Sequence, residues 1–330
     1  MNKYKEKMEK MVSDCIECGL CTRNCLFLDK YNINLREFST REDIAYHCFL
    51  CGECKRVCPK NIDGRQIALE MRKKLVEDNS GKIPEKGYSM LVMEKKDYIF
   101  KNYGKAKGDT VLFPGCNFPS FYPEATDKIE KLLESYGIGV VYDCCGKPIS
   151  ELGMKTESDK IIENINYNLD RIGIRRIVTM CPNCYYFLKD RINAEVISIY
   201  SLLSELGIGK NIDMENKSLF IPCPDRDNRE IIDSFSCFIN DTNKIKIIKS
   251  QCCGLGGCAG GKESDISKKF ADEAIKNSEE EMLVYCASCA GNFSRNGHNN
   301  VKHILNEILE IEENPEKSMK SIFNRMKKKL

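Results

Sequence analysis

Gln251-Cys252-Cys253-Gly254-Leu255-Gly256-Gly257-Cys258 is the stretch from which the fold can be read, and Asp143-Cys144-Cys145-Gly146-Lys147-Pro148 is its weaker copy. Adjacent cysteines leave one backbone turn in different directions, which makes a poor disulfide and a good two-point metal grip. The glycines that follow remove side chains where something bulky has to approach the backbone. Each adjacency is the centre of a longer pattern. The first runs Val111-Leu-Phe-Pro-Gly-Cys116, 27 residues, Cys144-Cys145-Gly146, 34 residues, Cys181-Pro-Asn-Cys184. The second runs Leu219-Phe-Ile-Pro-Cys223, 28 residues, Cys252-Cys253-Gly254, 31 residues, Cys286-Ala-Ser-Cys289. Two five-cysteine sets in the same order at nearly the same spacing are a duplication.

Short apolar runs lead into these cysteines: Val111–Phe113, Val140–Tyr142, Ile177–Thr179, Leu219–Ile221, Ile245–Ile248 and Met282–Tyr285. Between them lie helical patterns, Ile129, Leu132, Leu133 and Tyr136 before Gly137, and Ile161, Ile165, Leu169 and Ile172 before Gly173. The second copy offers Ile231, Phe235 and Phe238, then Ile266, Phe270 and Ala274. Strands alternating with helices imply parallel sheets, and such folds place ligands at the carboxyl ends of their strands. The expected class is therefore α/β, with duplicated Rossmann-like repeats at 109–210 and 211–314. Each C-x2-C lies between a strand end and a following polar or helical segment, where a helix amino terminus favours thiolate.

The 330 residues suit about two domains, and a net charge of +2 gives no global field toward nucleic acid or an anionic membrane. Met1 to Asp14 alternates in charge and has no apolar centre, so it does not read as a signal peptide, and no apolar run approaches the ~18 residues of a membrane span. The chain contains 20 cysteines, in tight clusters rather than in a disulfide-like framework. In a reducing cytoplasm such clusters read as metal ligands.

Upstream, Cys15-Ile-Glu-Cys18-Gly-Leu-Cys21-Thr-Arg-Asn-Cys25 and Cys48-Phe-Leu-Cys51-Gly-Glu-Cys54-Lys-Arg-Val-Cys58-Pro59 both have the C-x2-C-x2-C-x3-C spacing that holds [4Fe-4S] cubanes. Zinc sites space their C-x2-C pairs further apart. The fourth cysteine of each run crosses to the other cluster in this pattern, which assigns Cys15, Cys18, Cys21 and Cys58 to one cubane and Cys48, Cys51, Cys54 and Cys25 to the other. The first run lacks the proline after its last cysteine. A small α-helical two-cluster domain is expected over 1–75, with a helix carrying Ile67, Ala68, Met71 and Leu75, and then a connector over 76–108. The tail 315–330 is basic, with Met319, Ile322, Phe323 and Met326 on one helical face. Packing on its own protein is the plainer reading of such a face, and contact with a partner or a membrane surface the sharper one.

The two cysteine sets resemble the duplicated cysteine-rich CCG domains of heterodisulfide reductase catalytic subunits, and similar domains occur in iron–sulfur subunits of glycolate and anaerobic glycerol-3-phosphate dehydrogenases. The preceding motif pair resembles a fusion of that reductase's electron-feeding and catalytic parts. The resemblance implies a noncubane [4Fe-4S] cluster on each set, one held by Cys116, Cys144, Cys145, Cys181 and Cys184, the other by Cys223, Cys252, Cys253, Cys286 and Cys289. Neither set is incomplete, as one is in several dehydrogenase-associated relatives, which tilts the reading toward disulfide reduction. The copies differ after the CCG, with Lys147-Pro148 in one and Leu255-Gly256-Gly257-Cys258 in the other.

The function expected is an iron–sulfur oxidoreductase. An electron-donor protein (flavoprotein, ferredoxin or hydrogenase-type) would feed two cubanes, and the CCG clusters at Cys144, Cys145, Cys252 and Cys253 would reduce a small disulfide. The alternative is a relay subunit between a flavin dehydrogenase and a quinone or carrier. No G-x-G-x-x-G follows a strand, so no flavin or nucleotide is expected on this chain. Outside the eighteen ligands, Cys258 reads as small buried cysteine or site lining, and Cys237 as core on a helical face. His47 precedes Cys48 and reads as a surface or supporting histidine, with a hydrogen bond to cluster sulfide as the functional version. His298 and His303 have no ligand-like spacing, and Lys147 reads as a solvated loop lysine or a charge near developing thiolate.

Overall fold

The computed structural model of the chain describes residues 3–318 and 320–329. Its chain folds as two compact units, each built from separated segments. One comprises the described residues up to Lys96 with Pro148–Ser158 and Gln251–Asp272. The other comprises Asp97–Lys147, Asp159–Ser250 and the described residues from Glu273 onward.

The larger unit carries eight strands: β1 (Thr110–Phe113), β2 (Gly139–Val140), β3 (Arg176–Thr179), β4 (Glu195–Ser198), β5 (Lys217–Phe220), β6 (Lys246–Ile247), β7 (Glu281–Val284) and β8 (Val301–His303). They form two four-stranded sheets of orders β2-β1-β3-β4 and β6-β5-β7-β8, parallel at every pairing. The expected α/β class with duplicated parallel-sheet repeats is therefore the observed one. Central strands buried on both faces need continuous apolar runs, and Val111, Leu112 and Phe113 on β1 and Leu283 and Val284 on β7 are fully buried. Each such side chain contributes about 1.5–3 kcal/mol. The strand β4 and the strand β8 were not legible in sequence. They are edge strands of four and three residues, and β4 shows an exposed or half-buried pattern over three of its four positions. Helix Pro123–Glu134 starts on a proline, buries Ala125, Ile129 and Leu133, and is followed by Gly137 at φ +76°.

The smaller unit is helical. Its two cysteine loops fold alike, with left-handed backbone at Glu17 and Leu50 (φ +54° and +53°) and again at Gly19 and Gly52 (φ +70° and +82°). Each loop then enters a short helix, Leu20–Arg23 or Glu53–Arg56. Helix Gly64–Asp78 buries Ile67, Ala68 and Met71 as expected, and the connector contains a further helix, Ser89–Lys95.

The terminal helix Lys320–Lys327 packs within the larger unit, but by its polar side. Ser120 donates to the Ser321 carbonyl at 2.7 Å, Asn324 donates to the Ser120 carbonyl at 3.1 Å, and Lys328 pairs with Glu130 at 2.8 Å and with Asp127. Phe323 and Met326 remain exposed. Met319 lies outside the described residues. No described helix is long and apolar enough to cross a membrane.

Candidate metal centres

In the helical unit Cys15, Cys18, Cys21 and Cys58 line a single cavity, whose other walls include Ile16, Leu20, Leu35, Pro59 and Ile62. The second group gathers in the same unit. Cys25 is pushed up to about 12 by burial and then by the neighbouring Cys51 and Cys48. Burial raises Cys54 well above the ordinary thiol range, with Cys48, Cys25 and Cys51 adding to it, and raises Cys48 to about 11. Cys25, Cys48 and Cys54 thus resist ionisation, and a bound cation would supply the positive charge that such thiols need to become ligands. Leu50 N–H donates toward Cys48 Sγ at 3.5 Å, and a Cβ at Gly64 would stand 2.6 Å from Cys54 Sγ.

The first CCG set lies wholly in the larger unit. Cys116 follows β1, Cys144 and Cys145 follow β2, and Cys181 follows β3 as the cap of helix Pro182–Leu188, whose first turn holds Cys184. Cys144, Cys145, Cys184 and Cys116 are buried, and Cys116 and Cys144 pack with Tyr98 and Phe100. Hydrogen bonds from the Cys144 thiol and then the Cys184 thiol bring Cys145 down to about 5, against burial. The same bond to Cys145 holds Cys184 well above the usual range. A Cβ at Gly115 (φ +70°) would reach Cys184 Sγ at 2.9 Å, so glycine keeps this thiol group open. These five cysteines gather at the ends of β1, β2 and β3.

Of the second set, Cys223, Cys286 and Cys289 belong to the larger unit, and Cys252 and Cys253 to the helical one. Cys286 caps helix Ala287–Arg295 with the same extended backbone that Cys181 uses in the first copy. These two equivalent cysteines meet. Cys184 favours the Cys181 thiolate, yet the bond to the Cys286 thiol, together with burial, pushes Cys181 up to about 12. Asn183 donates to Cys286 Sγ at 3.7 Å, and Asn117, next to Cys116, donates to Ser288 at 2.6 Å. Around this seam the Tyr122 and Tyr200 hydroxyls and His303 Nε2 are buried without a hydrogen-bond partner among the described residues. Three buried donors left open, each costing about 1–3 kcal/mol, are the surroundings expected of an anionic sulfur group.

Several supporting residues carry no motif. Asp225 is fully buried and accepts from Tyr285 at 2.7 Å, from Tyr186, and from the amides of Ile231 and Ile232 at 3.0 and 3.2 Å. It thereby ties together the segments that bear Cys286, Cys184 and Cys223. In the helical unit Arg72, also fully buried, donates to the carbonyls of Ala45, Cys48, Glu151 and Gly257 at 2.8–3.0 Å. His47 bonds to Glu263 at 2.6 Å and to Tyr31 at 3.0 Å, which makes it a supporting residue of the Cys48 loop. Cys258 is half-buried with a left-handed backbone, and its carbonyl accepts from Tyr88 at 3.2 Å. Cys237, expected in the core, is exposed, because the helix ends at Phe235 and the chain tightens into a 3-10 turn that rotates it outward. His303 caps helix Ile304–Ile308 through its Nδ1.

The profile of the cysteine-rich CCG domain matches residues 110–189 and 239–294. The chain thus carries two stretches similar to that domain, which together make up less than half of it. The resemblance drawn from cysteine spacing is thus borne out. The chain is similar to an uncharacterized iron–sulfur protein of Methanococcus maripaludis, 23% identical over an alignment of 337 positions that covers 85% of this chain and 67% of that one. A similar uncharacterized iron–sulfur protein of Methanocaldococcus jannaschii is 23% identical over an alignment of 334 positions, covering 87% and 68%. One of the subunits of the CoM/CoB fumarate reductase of Methanothermobacter marburgensis is 23% identical over 329 residues, spanning 85% and 67%.

Proposed function

We propose that this protein is an iron–sulfur oxidoreductase that cleaves, or in reverse forms, the sulfur–sulfur bond of a small disulfide, in a reducing cytoplasm and in company with an electron-carrying partner protein. The observation that carries this reading is the gathering of thiols at three places: Cys15, Cys18, Cys21 and Cys58 around one cavity, Cys25 with Cys48, Cys51 and Cys54, and the first CCG set within the larger unit. We assign a cubane to each of the first two groups and a noncubane cluster to each CCG set. The second set, Cys223, Cys252, Cys253, Cys286 and Cys289, is assigned on its spacing. When bound, the clusters supply one-electron steps and a Lewis-acidic iron for thiolate sulfur.

The residues of the chain provide the remainder. Cys145 is ready to ligate as thiolate, and the open donors of Tyr122, Tyr200 and His303 suit a sulfur that gains negative charge. Asp225 holds the ligand-bearing segments in register. In the balanced reaction R–S–S–R′ takes up two electrons and two protons and gives RSH and R′SH. The partner supplies the electrons one at a time and solvent supplies the protons. Because a relative is named as one subunit of a fumarate reductase, a relay reading also has support. In it this chain only passes electrons between that kind of partner and a thiol or carrier pool.

Anaerobic purification is expected to give about 16 irons per chain, four clusters of four. Reduced viologen is expected to drive disulfide cleavage without added flavin, and Cys145→Ser and Cys253→Ser should each abolish it while leaving the cubane signals in place. About half that iron would remove the noncubane assignment. Full iron with no turnover of any disulfide, together with co-purification of a flavin dehydrogenase, would replace catalysis by relay.

A further inference from the structure

Gln251 and Asp143 occupy the same position in the two copies, directly before the cysteine pair. They do different things. Asp143 is engaged within the larger unit, accepting from Tyr103 and from the Cys144 amide, each at 2.7 Å. Gln251 faces the thiols of the helical unit. Its Nε2 donates to Cys51 Sγ at 3.7 Å, and its Oε1 accepts from the Leu26 amide, next to Cys25, at 3.2 Å. The Gln251 side chain hydrogen-bonds the Cys25 thiol as well. One side chain thus touches two cysteines of a single group and is covalently joined to Cys252.

The loop bearing Gln251 is held in register with the Cys48 loop by contacts that leave little play. Arg72 donates to the carbonyls of both Gly257 and Cys48, at 2.9 and 2.8 Å. Glu263, fully buried, accepts from Lys30 at 2.5 Å, Tyr31 at 2.7 Å and His47 at 2.6 Å. At Gly256 and Gly257 a Cβ would stand 2.3 Å from the Phe49 carbonyl and 2.5 Å from the Cys48 carbonyl, so only glycine permits this approach. The glycines that set the second copy apart from Lys147-Pro148 are the ones that bring the two loops together.

We infer that Gln251 is a positioning residue that links the Cys25–Cys48–Cys51–Cys54 group to Cys252, so that electrons pass between the helical unit's thiol sites and the second CCG pair. The inference rests on the cluster assignments proposed above. A donor to a ligand sulfur stabilises the more negative, reduced state and raises its potential. The hydrogen bond to Cys51 and the covalent step to Cys252 also make a short bonded route.

The test is Gln251→Leu, which removes donor and acceptor, beside Gln251→Glu, which keeps the acceptor for Leu26 and removes the donor to Cys51. In a potentiometric electron-paramagnetic-resonance titration of the iron-loaded chain, both variants should lower the midpoint of one cubane signal and leave the other unmoved. At a fixed donor potential its reduced-to-oxidised ratio should fall about tenfold, equivalent to about 59 mV for one electron. Hydrogen exchange on the iron-free chain should expose the Leu26 amide in Gln251→Leu and keep it protected in Gln251→Glu. Wild-type iron content with both cubane midpoints unchanged overturns the role of Gln251 and leaves the proposed function standing. A wild-type chain without cubane signals overturns the function and this inference with it.

Discussion

Cys145 and Cys184 show how far single thiols are tuned by their neighbours. With two thiols donating to it, Cys145 is held as thiolate down to about 5, and Cys184 retains its proton as the donor. A ligand set that already holds one thiolate loses fewer protons on taking up iron. His303 is tuned in the opposite sense. Buried against Phe118 and Tyr122, it has its imidazole pulled down to about 3 by desolvation, only partly offset by Cys181. Its ordinary value is near 6.5, so between that pH and about 3 the unfolded chain binds a proton that the folded chain refuses. The stability attached to a neutral His303 is therefore complete above about 6.5 and is lost as the pH falls below it. Thermal unfolding of the iron-free chain between pH 7 and 5 should fall more steeply for wild type than for His303→Asn, which retains a capping oxygen, by on the order of a kcal/mol or more. Parallel curves would mean that His303 is solvated.

At the scale of elements, the two C-x2-C-x2-C loops matter more than the short helices they open. Glu17 and Leu50, both non-glycine, adopt left-handed backbone for the sake of the loop, an arrangement that spacing alone does not reveal. Gly64 opens helix Gly64–Asp78, where alanine would ordinarily gain up to about 1 kcal/mol of helix propensity. Here a Cβ would meet Cys54 Sγ at 2.6 Å and Leu35 Cδ2 at 2.8 Å. On the cubane assignment proposed above, Gly64→Ala is therefore expected to lose about four irons per chain from the Cys25–Cys48–Cys51–Cys54 group while the other cubane signal persists. Unchanged iron would show that the Cys54 thiol can yield. The strands that introduce the cysteines were legible because continuous buried runs such as Val111–Phe113 announce themselves. The edge strands β4 and β8 were hidden by their shortness, and the polar-side packing of Lys320–Lys327 runs against the usual meaning of an amphipathic face.

Over the whole molecule, the helical unit draws on three stretches of chain, and Arg72 is the residue that reaches all of them. Its guanidinium sits over Tyr46 at 5.0 Å and satisfies carbonyls at 45, 48, 151 and 257. A lysine there keeps the charge and loses the fork. Arg72→Lys should cost about 3 kcal/mol or more through carbonyls left unpaired, measured by chemical denaturation, and should lower iron incorporation. A loss under about 1 kcal/mol would mean that water replaces the guanidinium. By itself the sequence determined the α/β repeats and their duplication, because periodic burial is a local rule written into neighbouring residues. Only the tertiary structure decided that Gln251 meets Cys51 and Leu26, that Cys181 meets Cys286, and that Asp225 and Arg72 join segments distant along the chain. Those contacts bring together residues with no shared spacing, and they arise from burial and hydrogen-bond satisfaction in the folded chain.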